Sequence, residues 1–358
     1  LYLVENVQRG KEVFEDLSNL LPAEAIHFFP ALDLLPFEVI AQSHETQQKR
    51  LEVLQCLVSR KKRPIVITTM EALSKTLLDV QAFQQAVITL KTGQRVRMEE
   101  LLAGLVKIGY QRVDMVEDKG HFSLRGGILD IYSSTGNNPY RLEFFDDEID
   151  SIRIFSIENQ RSIKQINSVD IAPATEFFCD EADRRKIIAK LKDEEEKALK
   201  SLVKSGNREA YENLSARIKE ITENFAQGNS FPGQEQILPY LSQKQFSLLD
   251  YFQEEPLLII DEPNRQRESY QVREKENQES YKSLLERGRI LPGQIDNYFT
   301  LDSLWQRFNK QKIIYFSLLP KKPIATETVN VLGVTAKTPS LFMGKTRLLV
   351  DELKEWRR

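Results

Sequence analysis

Cysteine is nearly absent from this 358-residue chain: Cys56 and Cys179 are the whole complement, far apart and outside any CxxC or Cys/His cluster. That pattern argues against a disulfide scaffold or a zinc site and fits a reducing, cytoplasmic setting. Histidine is as scarce, and His27, His44 and His121 lie near no acid or cysteine at metal-ligand spacing. No apolar run reaches the roughly 18 to 20 residues of a membrane span, and no basic segment followed by an apolar core opens the chain. Neither sign of charge dominates. The 50 Lys and Arg against 53 Asp and Glu leave a formal charge of −3, too little for a global field that would hold nucleic acid indiscriminately. Any partner must be recognised locally. A phosphate loop of the form G-x-x-x-x-G-K-[ST] is also missing; Gly344-Lys345-Thr346 imitates its end, but Pro339 stands where the first glycine must be.

What is present begins with strands and helices in alternation. LYLVEN, a helix over Val7 to Leu21, AIHFFP, a helix around His44 to Ser59, the strand PIVITT and a helix from Glu71 follow the order of a parallel sheet with helical crossovers. From about Val87 to Ala174 the pattern changes to short strands and turns with one helix near Met98 to Ile108, an α+β module. Residues Glu181 to Gln227 read as two amphipathic helices parted at Gly206-Asn207 and packed on the domain surface. The α/β pattern then resumes: a helix over Ser242 to Phe252, the strand Leu257 to Ile260, a charged helix from Arg265 to Arg287 and the strand Ile313 to Phe316. The expected division is 1–88 and 175–334 as two parts of one α/β domain, 89–174 inserted between them, and 335–358, with a helix over Lys345 to Trp356, as the start of another domain. A chain that opens on a strand at Leu1 and closes on a helix at Arg358 reads as a piece of a longer protein.

Residues 120–155 hold most of the functional signal. Apolar and polar residues alternate through His121 to Arg125, Ile128 to Tyr132 and Tyr140 to Phe145, the period of half-buried antiparallel strands that keep one face for display. Arg125, Arg141 and the pair Phe144-Phe145 stand where the pleat can project them onto one surface, and arginine with aromatics is the composition of binding hot spots. An equally weighted alternative makes the arginines exposed strand residues paired with nearby acids such as Glu143.

Other candidates carry less chemistry. Asp261 and Glu262 end the strand LLII as a nucleotide-hydrolase second motif would, but without a phosphate loop they read as a structural relic. Asp146 and Asp147 follow a strand and suit a turn. The run Arg60-Lys61-Lys62-Arg63 suits a solvated helix end. No catalytic residue, metal ligand or cofactor is assigned.

The stretch GYQRVDMVEDKGHFSLRGGILDIY, the later PYRLEFFDDEIDSIRIFSIENQRS and IAPATEF resemble the second domain of the transcription-repair coupling factor family, a module shared with the excision-repair protein UvrB. FFPALDLLPFEV, QQKRLEVL, PIVITTMEAL and the late DEP resemble the two halves of a split UvrB-like first domain, and LFMGKTRLLVDELKEWRR resembles the opening of the next domain. The resemblance implies a split RecA-like parallel-sheet domain with an α+β, antiparallel-sheet domain inserted. It implies an adaptor that recruits UvrA through Arg125, Arg141 and Phe145 and does not itself hydrolyse ATP. In the family, a separate motor uses ATP and Mg, other parts meet RNA polymerase and DNA, and a C-terminal domain masks the UvrA-facing surface. A UvrB-type damage-binding helicase subunit is the alternative, and a structural spacer a weaker one. Only about a dozen residues follow Val39 before the helix near Lys49, too few for the DNA-gripping hairpin of UvrB, and Asp261-Glu262-Pro263 departs from the UvrB second motif.

Overall fold

The computed structural model describes residues 1–32, 43–59, 63–228, 231, 233–319, 330–335 and 346–356. The sequence arguments that rest on the segment after Val39 and on Arg60, Lys61 and Lys62 lie outside these residues, as does most of the expected boundary between Thr335 and Phe342. The chain divides into two compact units, Leu1–Lys321 and Lys322–Arg358; in the second, a helix spans Thr346–Trp356.

In the first unit, β1 (Tyr2–Val4) runs into Asn6, whose side chain accepts from the Arg9 amide and so starts the helix Val7–Ser18. Val13, Phe14 and Leu17 of that helix pack on Val4, Ile26 and Ile67. Gly10 permits the close approach, because a Cβ there would stand 2.5 Å from the Phe28 ring. β2 (Ile26–Phe29), the helix His44–Val58 and β3 (Ile65–Thr69) follow, and Thr69 caps the next helix, Met70–Ser74, through the Ala72 amide.

The chain then leaves this sheet. β4 (Ile88–Lys91) leads through the helix Met98–Lys107 to β5 (Gln111–Arg112), β6 (His121–Arg125), β7 (Ile128–Ile131), β8 (Tyr140–Phe145), β9 (Glu148–Phe155) and β10 (Ser162–Ile166). β11 (Ser168–Ile171) returns to pair with β4. β5 to β10 form one sheet in sequence order, antiparallel throughout except for the short β5–β6 pair, which is parallel. Leu101 and Leu105 of the helix join Phe122, Leu129, Ile131, Leu142 and Ile152 in its core.

With β12 (Leu258–Asp261) and β13 (Ile313–Phe316) the first sheet is completed in the order β13-β12-β1-β3-β2, every neighbouring pair parallel. The parallel sheet is thus built from both sides of the antiparallel one, the α/β class with an inserted antiparallel sheet that the order of elements predicts. Arg50 pins the junction. Its guanidinium is fully buried, donates to both oxygens of Glu176 at 2.6 and 2.8 Å and to the Pro30 carbonyl at 2.8 Å, and lies 4.1 Å from the Phe29 ring centre.

The helices Glu181–Ser205 and Arg208–Gln227 part at Gly206-Asn207 as expected, and they dock on the later half of the α/β region. Lys190 donates to the Tyr240 carbonyl at 2.7 Å, Glu194 accepts from the Gly293 amide at 2.7 Å, and Asn207 donates to the carbonyl of Glu286, the last residue of the helix Pro263–Glu286. The helix expected over Ser242 to Phe252 is shorter, Leu248–Tyr251. Phe246 is engaged instead in a bridge whose carbonyl accepts from Leu77 at 2.8 Å, and Ser247 with Asp250 forms a capping box that fixes the start.

Candidate partner-binding site

Strand alternation gives the antiparallel sheet an apolar face and a polar one. Phe122, Leu124, Leu129, Leu142, Phe144 and Ile152 belong to the core, which leaves Ser123, Arg125, Asp130, Arg141, Glu143, Ser151 and Arg153 on the opposite face. Ser123, Asp130, Arg141 and Arg153 are successive cross-strand neighbours; Arg125, Ile128, Glu143 and Ser151 make the adjoining row. The register is set by the two-residue turn Gly126-Gly127, in which Gly126 has φ +60° and a Cβ on Gly127 would stand 3.0 Å from the Phe144 carbonyl oxygen. At the same end of the sheet, the turn Asp146-Asp147 has Asp146 at φ 57°, a conformation that Asp tolerates, in keeping with a turn role for this acidic pair.

Arg125, Arg141 and Phe145 therefore share one face, with very different exposure. Phe145 is 81% exposed at the edge by the Asp146-Asp147 turn. The Arg125 side chain is 53% exposed and donates from Nη2 to Asp130 Oδ2 at 3.0 Å. Arg141 is largely covered: Nε donates to Asp130 Oδ1 at 2.7 Å, Nη2 to Oδ2 at 2.8 Å, and the guanidinium lies 4.4 Å from the Phe155 ring centre. Its nitrogens also donate to the backbone and side-chain oxygens of Gln160 at 3.3 Å. The hydrogen bonds that Arg141 donates to Asp130 raise its guanidinium above its already high range, against the opposing effect of burial.

The acid that pairs with the two arginines is Asp130, only 1% exposed, and not Glu143. Glu143 is committed to Arg153 at 3.1 Å and to the Ser151 hydroxyl, which donates to it at 2.9 Å. Asp130 was open to discovery from the hairpin register alone. With a two-residue turn, Arg125 faces Ile128 and Ser123 faces Asp130, which sets that carboxylate on the arginine face between the buried Leu129 and Ile131.

Asp261 and Glu262 lie away from this face and make protein contacts. Asp261 Oδ2 accepts from Arg9 Nε at 2.9 Å; Glu262, at φ 47°, accepts from the Leu318 amide at 2.6 Å beyond β13. Arg63, at the end of the basic run, pairs with Glu254 at 2.8 Å. Among the described residues no group of three His, Cys, Asp or Glu is arranged to hold a metal ion, and no helix is long and apolar enough to cross a membrane.

The polar face lies within residues 88–177, which match the family model of the UvrB interaction domain. Along its whole length the chain is also similar to transcription-repair-coupling factors: 31% identical over 356 residues to that of Bacillus subtilis (strain 168) and 28% identical over 361 residues to that of Staphylococcus aureus (strain USA300). In both cases 99% of this chain is covered, and the chain spans about 30% of the length of the relative. Within the matched residues, the face bearing Arg125 and Phe145 is the one that the sheet does not use for its own core.

Proposed function

We propose that this chain is the UvrA-recruiting adaptor of a transcription-repair coupling factor, linking removal of stalled RNA polymerase to nucleotide excision repair. The observation that carries the reading is a UvrB interaction domain whose polar face presents an exposed aromatic, Phe145, and a half-exposed arginine, Arg125, over a buried carboxylate. In this reading 89–174 is the recruiting domain, 1–88 and 175–334 together are the α/β domain that carries it, and 335–358 begins the next domain. Arg125 forks toward a carboxylate of UvrA, Phe145 excludes water beside it, and Arg141 supports both from below. The α/β domain hydrolyses no ATP and takes no cofactor. Asp261 and Glu262 serve Arg9 and the segment after β13 rather than a nucleotide. In the longer protein, which works in the cytoplasm, a separate motor uses ATP and Mg, other regions contact RNA polymerase and DNA, and a C-terminal domain covers the UvrA-facing surface until it is needed.

Calorimetric titration of UvrA into the 358-residue chain tests the reading, with Phe145→Ala alongside and ATP turnover of the chain measured separately. Saturable binding that Phe145→Ala weakens supports it. Absence of binding, or equal binding by the variant, overturns the assigned site, and ATP turnover by the purified chain overturns the non-hydrolytic role.

A further inference from the structure

Asp130 serves its two arginines unequally. Arg141 takes both carboxylate oxygens and is further held by the Phe155 ring and Gln160. Arg125 makes a single bond, to the Oδ2 that Arg141 Nη2 already uses, and keeps about half of its side chain in solvent. An ionised carboxylate offers about four acceptor sites, so both bonds to Oδ2 coexist. They differ in what their loss would leave behind. Without Arg125, Asp130 is still paired on both oxygens; without Arg141, a carboxylate that is 1% exposed keeps one hydrogen bond, an arrangement that buried charge tolerates poorly.

We propose that Asp130 is a positioning residue for recruitment: it fixes Arg141 as part of the sheet and presents Arg125 as the exchangeable anchor, whose outward guanidinium edge takes a carboxylate of the partner. This deepens the recruiting role and rests on it. A long side chain held in place before encounter loses less freedom on binding than one that must be ordered then. A single bond to a shared oxygen orients the side chain while leaving most of its donors free for a planar, bidentate partner. Ile128, Arg125's cross-strand neighbour, and Phe145, beyond Glu143 on the same face, give that contact an apolar rim. The negative charge also offsets three arginines, Arg125, Arg141 and Arg153, gathered on neighbouring strands, with Glu143 taking the third.

The test is titration of UvrA into the full chain and its Arg125→Ala, Asp130→Asn and doubly substituted forms. Arg125→Ala is expected to weaken binding by about tenfold or more, as truncation of an interfacial arginine anchor does. Asp130→Asn is expected to weaken binding by a similar factor in the parent chain but by less than about threefold where Arg125 is already alanine, because nothing is left there to position. Equal losses in both backgrounds overturn the positioning role while leaving the recruiting site intact. An Arg125→Ala chain that binds as the parent does overturns the site and this inference together. Should Asp130→Asn fail to fold, nitrogen relaxation at Arg125 Nε in the unsubstituted free chain decides: an order parameter above about 0.6 is expected, and a freely reorienting guanidinium overturns the proposal.

Discussion

Asp130 and Arg141 face each other across β7 and β8, and the guanidinium spans the carboxylate, Nε to Oδ1 at 2.7 Å and Nη2 to Oδ2 at 2.8 Å. The carboxylate is almost wholly out of water, so the pair is part of the domain's structure as well as of its surface. Arg141→Ala is expected to lower the free energy of unfolding by about 3 kcal/mol, toward the low end for breaking a buried pair because Arg125 still holds one oxygen. Arg141→Lys should recover only part of this, since an ammonium cannot span both oxygens. Urea unfolding of the two variants is the measurement. An Arg141→Ala chain as stable as the parent would refute the structural role, and any binding defect of that variant has to be read against its stability.

Phe145 presents the opposite case. With 81% of its surface in water, it gives the fold almost nothing, and Phe145→Ala should change stability by less than about 0.5 kcal/mol. Its effect on UvrA binding should be about tenfold or more, since an exposed aromatic ring that a partner covers is a typical hot spot. Thermal midpoints together with binding isotherms check both halves; a clear loss of stability would mean that the ring packs on the sheet.

Two glycines at left-handed backbone angles should respond very differently to alanine. Gly206, φ +70°, ends the helix Glu181–Ser205 with nothing within 4 Å of a Cβ, so Gly206→Ala carries only the conformational penalty of about 1 kcal/mol. Gly288, φ +65°, follows the helix Pro263–Glu286, and a Cβ there would stand 2.0 Å from the carbonyl oxygen of Ala210. Gly288→Ala must push the helix Arg208–Gln227 away from its seat and should cost more than about 3 kcal/mol, adding overpacking to strain. Urea midpoints of the two variants compare them directly, and equal losses would contradict the close approach.

The parts of the fold that follow from local rules are legible in the sequence. Gly206-Asn207 parts two helices because glycine takes the left-handed position and Asn207 accepts from the Ala210 amide at 3.1 Å; Ile313 to Phe316 is bounded as the apolar run is. Alternation alone sets Arg125 and Arg141 on one face. Long-range relationships are what escape. Arg50 lies on a helix where a charged residue is expected in solvent, yet it is fully buried, because the return of the chain at Glu176 brings the acid to it. The shortened helix at Leu248–Tyr251 has the same origin, a tertiary bridge at Phe246 overriding local propensity. At the candidate site, Asp130 follows from a turn length and Glu143 from proximity in the chain, and the register chose the first. The proposed partner rests on motif resemblance; no periodicity or spacing contains it.

Two weakly acidic side chains, the partly buried Cys179 and the buried Tyr270, predict how the fold fails at high pH. Burial pushes the Cys179 thiol up to about 11, with Asp183 and Asp180 adding to the rise and Arg184 opposing it. Burial likewise pushes the Tyr270 hydroxyl up to about 12, helped by Glu274 and Glu71, while the hydroxyl donates to the Phe299 carbonyl at 2.8 Å. Both groups are neutral when protonated, and both lose their proton more readily once unfolded, near their ordinary values of 9.0 and 10.0. Above about pH 9 the unfolded chain therefore binds fewer protons than the folded one, so stability falls as pH rises. These two groups add no pH dependence below about 9 and a growing loss from there to about 12. Urea midpoints at about pH 8, 10 and 11 should decline in that order if this linkage holds. The thiol supplies an independent reading, because only the thiolate is alkylated: at about pH 8, Cys179 in the folded chain should react at least tenfold more slowly than in urea, followed by mass mapping of its peptide. Equal alkylation rates would show that Cys179 is not held in its protonated form by the fold.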